Sequence, residues 1–298
     1  MTALRGRLQH AVPMARYTTW RVGGPAECLY EPADAGDLGA FLASNEAREP
    51  LFWLGLGSNL LVRDGGLRGS VIRLSRGLAR IEDQGEGRVL ADAGVACAKL
   101  ARWCGRAGYA GAEFFAGIPG TLGGALAMNA GAWGGETWAH VRSVYTVDRA
   151  GQAHQRDPDA YRIGYRSVEG PRQEWFTAAL LEFAPGHDPE ALKARVKELL
   201  AERGRSQPTG LASGGSVFRN PPGDHAARLI ETAGLKGARE GGARVSEKHA
   251  NFIVHEGKAT AADIERLIRR VQQRVFEQHG VQLEPEVHIV GEVADVRH

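Results

Sequence analysis

Two glycine-dense segments carry the clearest chemical signal in this chain. The first reads Leu54-Gly55-Leu56-Gly57-Ser58-Asn59-Leu60-Leu61-Val62 and follows an apolar run. A tight turn there would expose backbone N–H groups able to cradle a pyrophosphate without a helix, although a glycine-bearing hairpin turn has the same composition. Leu60 stands where a GxGxxG dinucleotide fingerprint needs its third glycine, and the next residues read as a strand, so a Rossmann loop is excluded. The second segment is Gly117-Ile118-Pro119-Gly120-Thr121-Leu122-Gly123-Gly124-Ala125, continuing to Met128-Asn129-Ala130-Gly131-Ala132. Its glycine pairs would let backbone pass against a flat ring or a diphosphate, and Asn129 offers both a donor and an acceptor. No Walker lysine follows, which excludes a P-loop NTPase. A glycine-rich packing turn is the alternative.

Other groups are weaker taken singly. Gly214-Gly215-Ser216 is by composition a turn. Glu284 and Glu286 are two apart, so strand alternation points them the same way and leaves the choice between them open. Arg219, Asn220, Lys236 and the Arg203/Arg205 region could hold phosphate, but an isolated basic residue is more often a solvated surface group. His249 and His255 have no further ligands at a recognisable spacing, which argues against a metal site. Cys28, Cys97 and Cys104 form no CxxC pair and read as reduced thiols. With 37 basic against 35 acidic residues and a net charge of +2, nucleic acid is not an expected main partner.

Stepping along the chain, the pattern is α+β in about three units. Short strands are expected at 51–56, 70–74, and 88–95 after a turn at Gln84-Gly85-Glu86-Gly87. A helix at 97–107 would place Leu100, Trp103, Cys104 and Ala107 on one face. Strands follow at 141–147 and 175–183. A helix at 189–203 would be capped by Asp188 and ended by Gly204, with a linker at 205–208. Beyond it come a helix from near Asp224 to Gly234, strands at 243–245 and 252–254, a helix from Thr260 to Gly280 capped with Asp263, and a last strand at 281–290. Neither a signal peptide nor an uncharged membrane-length stretch is evident, so the expected location is cytoplasmic.

Taken in order, the segments resemble the UDP-N-acetylenolpyruvoylglucosamine reductase family over nearly the whole chain. Beside the two glycine segments, the resemblance rests on Thr18-Thr19-Trp20-Arg21-Val22-Gly23-Gly24-Pro25-Ala26, Tyr165-Arg166-Ser167 and Gly214-Gly215-Ser216-Val217-Phe218-Arg219-Asn220-Pro221. It also rests on Leu229–Gly237, Val245–Phe252 and Leu283-Glu284-Pro285-Glu286-Val287. The resemblance implies a three-domain, non-Rossmann FAD-binding fold with a C-terminal substrate-binding α+β domain. Its implied divisions are 1–75 with a C-terminal strand near 287–298, then 76–204, then 205–286. It implies non-covalent FAD, NADPH as co-substrate, and a UDP-sugar enolpyruvyl ether reduced during peptidoglycan precursor synthesis, with no metal in the chemistry.

The same resemblance assigns roles. Ser216 matches the proton donor, Arg166 the arginine that pairs with the substrate carboxylate, and Glu286 the catalytic glutamate. A carboxylate beside a developing enolate must carry a proton or strong hydrogen bonds. Flavin contacts fall to Arg21, Gly23, Gly24, Gly55, Gly57, Ser58, Asn59, Leu60, Gly117, Gly120, Thr121, Gly123, Gly124, Asn129, Ala130 and Gly131. Tyr165, Arg219, Asn220 and Lys236 are the substrate-binding candidates. Arg219 stands where lysine is commoner, and His288 where arginine is. The short stretch after Ser167 resembles the compact variety, which lacks an extra substrate-covering loop. A flavin oxidase of the same fold and a non-catalytic sugar-nucleotide binder are the rival readings, and neither accounts for Arg166, Ser216 and Glu286 together.

Overall fold

A computed structural model describes residues 3–294. The fold is α+β, and its contacts group into two compact units. One unit comprises the chain up to Gln9, Leu29–Leu56 and Gly69–Arg203; the other comprises His10–Cys28, Gly57–Arg68 and the chain from Gly204 onward.

The first unit is built on a five-stranded antiparallel sheet in the order Ala153–Arg156, Val141–Asp148, Glu174–Glu182, Arg88–Asp92, Ile81–Gly85. Alternation sets its buried face: Thr177, Ala179 and Leu181 point inward along Glu174–Glu182 while their neighbours are more exposed. Cys97, Leu100, Ala101 and Cys104 are the buried residues of the Cys97–Arg106 helix. Their i, i+3, i+4, i+7 spacing puts them on one stripe, which joins Val89, Ala91 and Val144 of the sheet in one core. Leu100 is wholly buried there, and truncating it to Ala would cost roughly 2–5 kcal/mol. A second core forms around Tyr30 stacked on Phe41 at 3.9 Å. Beside it the strand Leu51–Leu54 pairs in parallel with Ser70–Arg73, which aims the first glycine segment.

The second unit holds a sheet in the order Ala212–Ser213, Ile253–His255, Ala243–Val245, Arg239–Glu240. The helix Ala261–His279 contributes Ile264, Leu267, Ile268, Val271 and Val275 to the same core. Its start carries the capping box expected from sequence, Thr260 with Asp263. The Asp64 carboxylate adds acceptors for the Ala261 and Ala262 N–H groups at 3.0 and 2.9 Å. Its end is Gly280 at φ +67°. The strand Leu60–Val62 runs parallel to His288–Val290, so the first glycine segment does lead into a strand and not a helix.

Two expectations need correction. The fourth long helical segment runs Pro189–Ser206, passing through Gly204 and into the expected linker. A glycine costs a helix only about 1 kcal/mol, and the effective stop is Pro208, which disfavours helical geometry at Gln207. The long terminal strand is reduced to His288–Val290, with an isolated bridge between Phe218 and Pro285; Pro285 has no N–H for a ladder. The part of the terminal strand expected beyond 294 lies outside the described residues. Among those described, no helix is long and apolar enough to cross a membrane, and no group of three or more His, Cys, Asp or Glu side chains could hold a metal ion.

Candidate active site

In the first unit the Leu51–Leu54 strand delivers Gly55 against Thr121, the N-cap of the helix Leu122–Met128. A Cβ on Gly55 would lie 2.7 Å from Thr121 Oγ1, so only glycine allows this approach. At Gly124 an added Cβ would meet only ordinary van der Waals contact, with the same Oγ1 at 3.8 Å. These residues and Gly123 line a cavity of about 300 Å³ whose other walls include Trp53 and Tyr161. Trp53 Nε1 and Tyr161 Oη are buried without a hydrogen-bond partner. A largely apolar cavity with a glycine edge fits part of a dinucleotide.

Beyond the same helix lies a polar corner. Arg166 sits in the two-residue turn of the hairpin Arg162–Gly164/Ser167–Glu169, at φ +53°. Its guanidinium donates to the carbonyls of Asn129 at 3.4 Å and Gly131 at 3.2 Å, with Tyr165 alongside at 5.4 Å from ring centroid to Cζ. Tyr165 is 56% exposed. Asn129 closes the helix in left-handed geometry, φ +43°. Its amide donates to Glu136 Oε2 at 3.0 Å and the Gly164 carbonyl at 3.3 Å, and accepts from the Trp138 N–H at 3.2 Å. The donor–acceptor pair that marked Asn129 in the sequence is therefore occupied within the protein. Ala130 is similar, its carbonyl taking the Thr137 N–H and hydroxyl. The Gly117 carbonyl accepts from Arg203, and the Gly120 carbonyl from the Cys97 N–H.

In the second unit the early glycines are places of backbone-on-backbone packing. A Cβ on Gly57 (φ +65°) would lie 2.0 Å from the Tyr17 carbonyl, and one on Gly24 would lie 2.2 Å from that of Asp64. Gly23 packs on Val62 in the same way, and Arg21 is exposed at φ +56°. Ser58 is half-buried between Gly57 and Asn59, and Leu60 opens the strand. Asn59 bridges to the end of the chain: its amide donates to the Glu286 carbonyl at 3.0 Å, and its own carbonyl takes the His288 N–H at 3.1 Å.

The segments that carry Ser216 and Glu286 are hydrogen-bonded to each other. The Glu286 N–H donates to the Val217 carbonyl at 2.8 Å, and the Arg219 N–H to the Glu284 carbonyl at 2.9 Å. This pairing separates the two glutamates, with Glu286 half-buried and Glu284 exposed. Asn251, absent from the sequence-derived set, holds the arrangement. It is buried, its carbonyl accepts from Val217, and its amide both accepts from and donates to the Phe218 backbone at 3.0 and 2.8 Å. An asparagine between Ala250 and Phe252 was the available signal, since a buried amide in apolar company needs a backbone to serve. Trp20 was missed similarly. It is fully buried, its indole donates to the Ile253 carbonyl at 2.9 Å, and a Cβ on Gly214 would strike its ring at 2.6 Å.

The remaining candidates are more peripheral. Arg219 Nε is buried without a partner. Asn220 accepts from the Ala226 N–H at 3.1 Å, where a helix begins, and Lys236 pairs with Glu231 at 2.6 Å. Burial, and secondarily Lys236, holds His249 below the usual imidazole range, and His255 is buried against the Trp20 carbonyl. Arg166 belongs to the first unit, Ser216 and Glu286 to the second.

An FAD-binding domain family matches residues 26–156, and the UDP-N-acetylenolpyruvoylglucosamine reductase C-terminal domain family matches 207–290. The UDP-N-acetylenolpyruvoylglucosamine reductase of Alkalilimnicola ehrlichii is 64% identical over 287 residues, covering 96% of each chain. That of Methylococcus capsulatus is 60% identical, covering 97% of this chain and 94% of its own. The crystal structure of the Thermus caldophilus enzyme superposes with a TM-score of 0.83 at 36% identity, covering 95% of this chain and 99% of that one. The chain therefore belongs to the UDP-N-acetylenolpyruvoylglucosamine reductase family and is an FAD-dependent oxidoreductase.

Proposed function

We propose that the protein reduces UDP-N-acetylglucosamine enolpyruvate to UDP-N-acetylmuramate with electrons from NADPH, as a cytoplasmic step of peptidoglycan precursor synthesis. Residues 1–75 and 76–204, with the C-terminal strand, would hold FAD, and 205–286 the sugar nucleotide. Gly55, Thr121, Gly123 and Gly124 would line the cofactor's cavity. FAD, when bound, would supply the hydride chemistry between NADPH and the terminal alkene carbon.

Everything else falls to side chains. Adding hydride to one alkene carbon drives electron density from the other towards the enolpyruvyl carboxylate. Arg166, braced by two backbone carbonyls, would face that carboxylate. The carbon that collects the electron pair needs one proton, which Ser216 would deliver from its hydroxyl. A serine is a feeble acid in water, but an enolate is a strong base. Glu286, with Ser216 on the adjoining segment, would hold the proton balance there.

The observation that best supports this reading is the backbone pairing of Glu286 with Val217, which joins the segment carrying Glu286 to the segment carrying Ser216. Half-reactions test it. Ser216→Ala should be bleached by NADPH at the wild-type rate yet pass electrons to the enolpyruvyl sugar nucleotide at least about 100-fold more slowly. Equal transfer rates would remove Ser216 from the mechanism.

A further inference from the structure

The backbone that follows Ser216 is held from both sides. The Val217 N–H donates to the Asn251 carbonyl at 2.9 Å, and the Val217 carbonyl accepts from the Glu286 N–H at 2.8 Å. The Asn251 side chain takes both backbone groups of Phe218. That leaves one group of Asn251 to place, its own N–H. Asn251 is buried, and a buried backbone donor needs an acceptor. The acceptor is Nδ1 of His249, at 3.3 Å. All of these residues belong to the second unit.

A side chain that takes the N–H two residues on closes an Asx turn, ordinarily with the oxygen of Asn or Asp. Nδ1 stands as many bonds from Cα as that oxygen does, so a neutral imidazole with its proton on Nε2 can replace it. His255 does the same for the Gly257 N–H at 2.9 Å. Unlike an amide oxygen, Nδ1 titrates. An imidazolium carries N–H at both nitrogens, so a protonated His249 sets donor against donor and lets go of Asn251. The charged groups acting on the ring are Lys236 and Glu231, on the turn after the helix Ala226–Thr232 and on that helix. Phe252 packs edge-on against it at 4.9 Å between centroids. On its own loop, Glu247 lies over Gly237 and Lys248 reaches the Gly204 carbonyl. Burial, then Lys236, favour the neutral ring, which is therefore held below the usual imidazole range. The bond from Asn251 is intact at neutral pH and is lost as pH falls below the ordinary imidazole value of about 6.5.

We propose that His249 is a positioning residue for proton delivery at Ser216, its neutral ring holding Asn251 and, through it, the Val217–Phe218 backbone. This rests on the reading of Ser216 given above. His249→Asn puts an oxygen where Nδ1 stands and cannot titrate, whereas His249→Ala leaves no acceptor. Electron transfer to the enolpyruvyl sugar nucleotide and bleaching by NADPH would each be followed from about pH 5 to about pH 8. Nitrogen NMR of the flavin-free protein would report which ring nitrogen of His249 carries the proton. The wild type should lose the transfer step on the acid side while bleaching is preserved. His249→Asn should match the wild-type transfer rate at the alkaline end and abolish the acid loss. His249→Ala should transfer about tenfold more slowly across the range, also without the acid loss. The neutral ring should be protonated at Nε2. A wild type without acid loss, an undiminished loss in His249→Asn, full speed in His249→Ala, or bleaching slowed as much as transfer would overturn the assignment. A neutral ring protonated at Nδ1 sinks this inference alone, whereas a wild type that passes no electrons to the sugar nucleotide at any pH sinks the reaction reading and this inference with it.

Discussion

Replacing Asn129 by alanine separates two meanings of one residue. As a ligand contact its loss would weaken cofactor binding and little else; as the structure has it, its loss dismantles a corner of the fold. The amide makes three hydrogen bonds from a side chain that is 2% exposed overall. The bond to the exposed Glu136 is worth little, about 0.5 kcal/mol. The bond to the carbonyl of the exposed Gly164 is worth about as much, while removal of the third strands the Trp138 N–H in a buried place, at about 1 kcal/mol or more. Alanine at φ +43° adds roughly 1 kcal/mol of backbone strain that asparagine tolerates better. Together this is about 3 kcal/mol, and for a unit of this size a fall of roughly 6–12 °C in melting temperature. Circular dichroism and calorimetry on the flavin-free protein would read it. An unchanged melting temperature with weakened FAD binding would refute the reasoning and return Asn129 to the ligand.

Three further outcomes follow from the geometry. Gly57→Ala must move the Tyr17 carbonyl out of a 2.0 Å overlap and hold alanine at φ +65°, so urea unfolding should show a loss of roughly 3 kcal/mol or more. Hydrogen bonds from Arg63, at 2.9 Å to each carboxylate oxygen, outweigh burial and hold Glu265 below the usual carboxylate range. Its folded value being depressed, the pair contributes fully above the unfolded value near pH 4 and is lost as pH falls through the folded one. Arg63→Met should therefore cost about 2 kcal/mol at pH 7 and converge on the wild type in the most acidic melts, and a gap independent of pH would count against it. Asn251→Ala removes both bonds to Phe218 beside Ser216; hydride transfer to substrate should slow at least about tenfold while bleaching by NADPH is preserved, and equal slowing of both steps would contradict a local role.

Where the sequence is legible, periodicity and caps are the reason. The 260–280 helix announces itself through Thr260, Asp263, an apolar stripe and Gly280, all local signals that the structure keeps. The non-Rossmann character of the first glycine segment is equally local, because one leucine replaces the needed glycine and a strand follows. What sequence alone could not show depends on partners far along the chain. Asn129 looked available because Trp138 and Gly164 are named only by the fold. Glu284 and Glu286 are indistinguishable by alternation until the Val217 carbonyl claims the Glu286 N–H. Gly204 reads as a stop, yet the helix continues to Ser206 because nothing before Pro208 forbids it. That segments 10–28 and 57–68 group with the C-terminal third is likewise a property of long-range contacts.

The central claim is an FAD enzyme that moves hydride from NADPH to an enolpyruvyl sugar nucleotide, and an anaerobic visible spectrum tests it most directly. NADPH is added to the purified protein first, and UDP-N-acetylglucosamine enolpyruvate second. The account predicts a yellow spectrum that bleaches with NADPH and recovers on adding the sugar nucleotide. Bleaching without recovery would contradict the substrate, and a colourless protein unable to take up added FAD would contradict the account at its root.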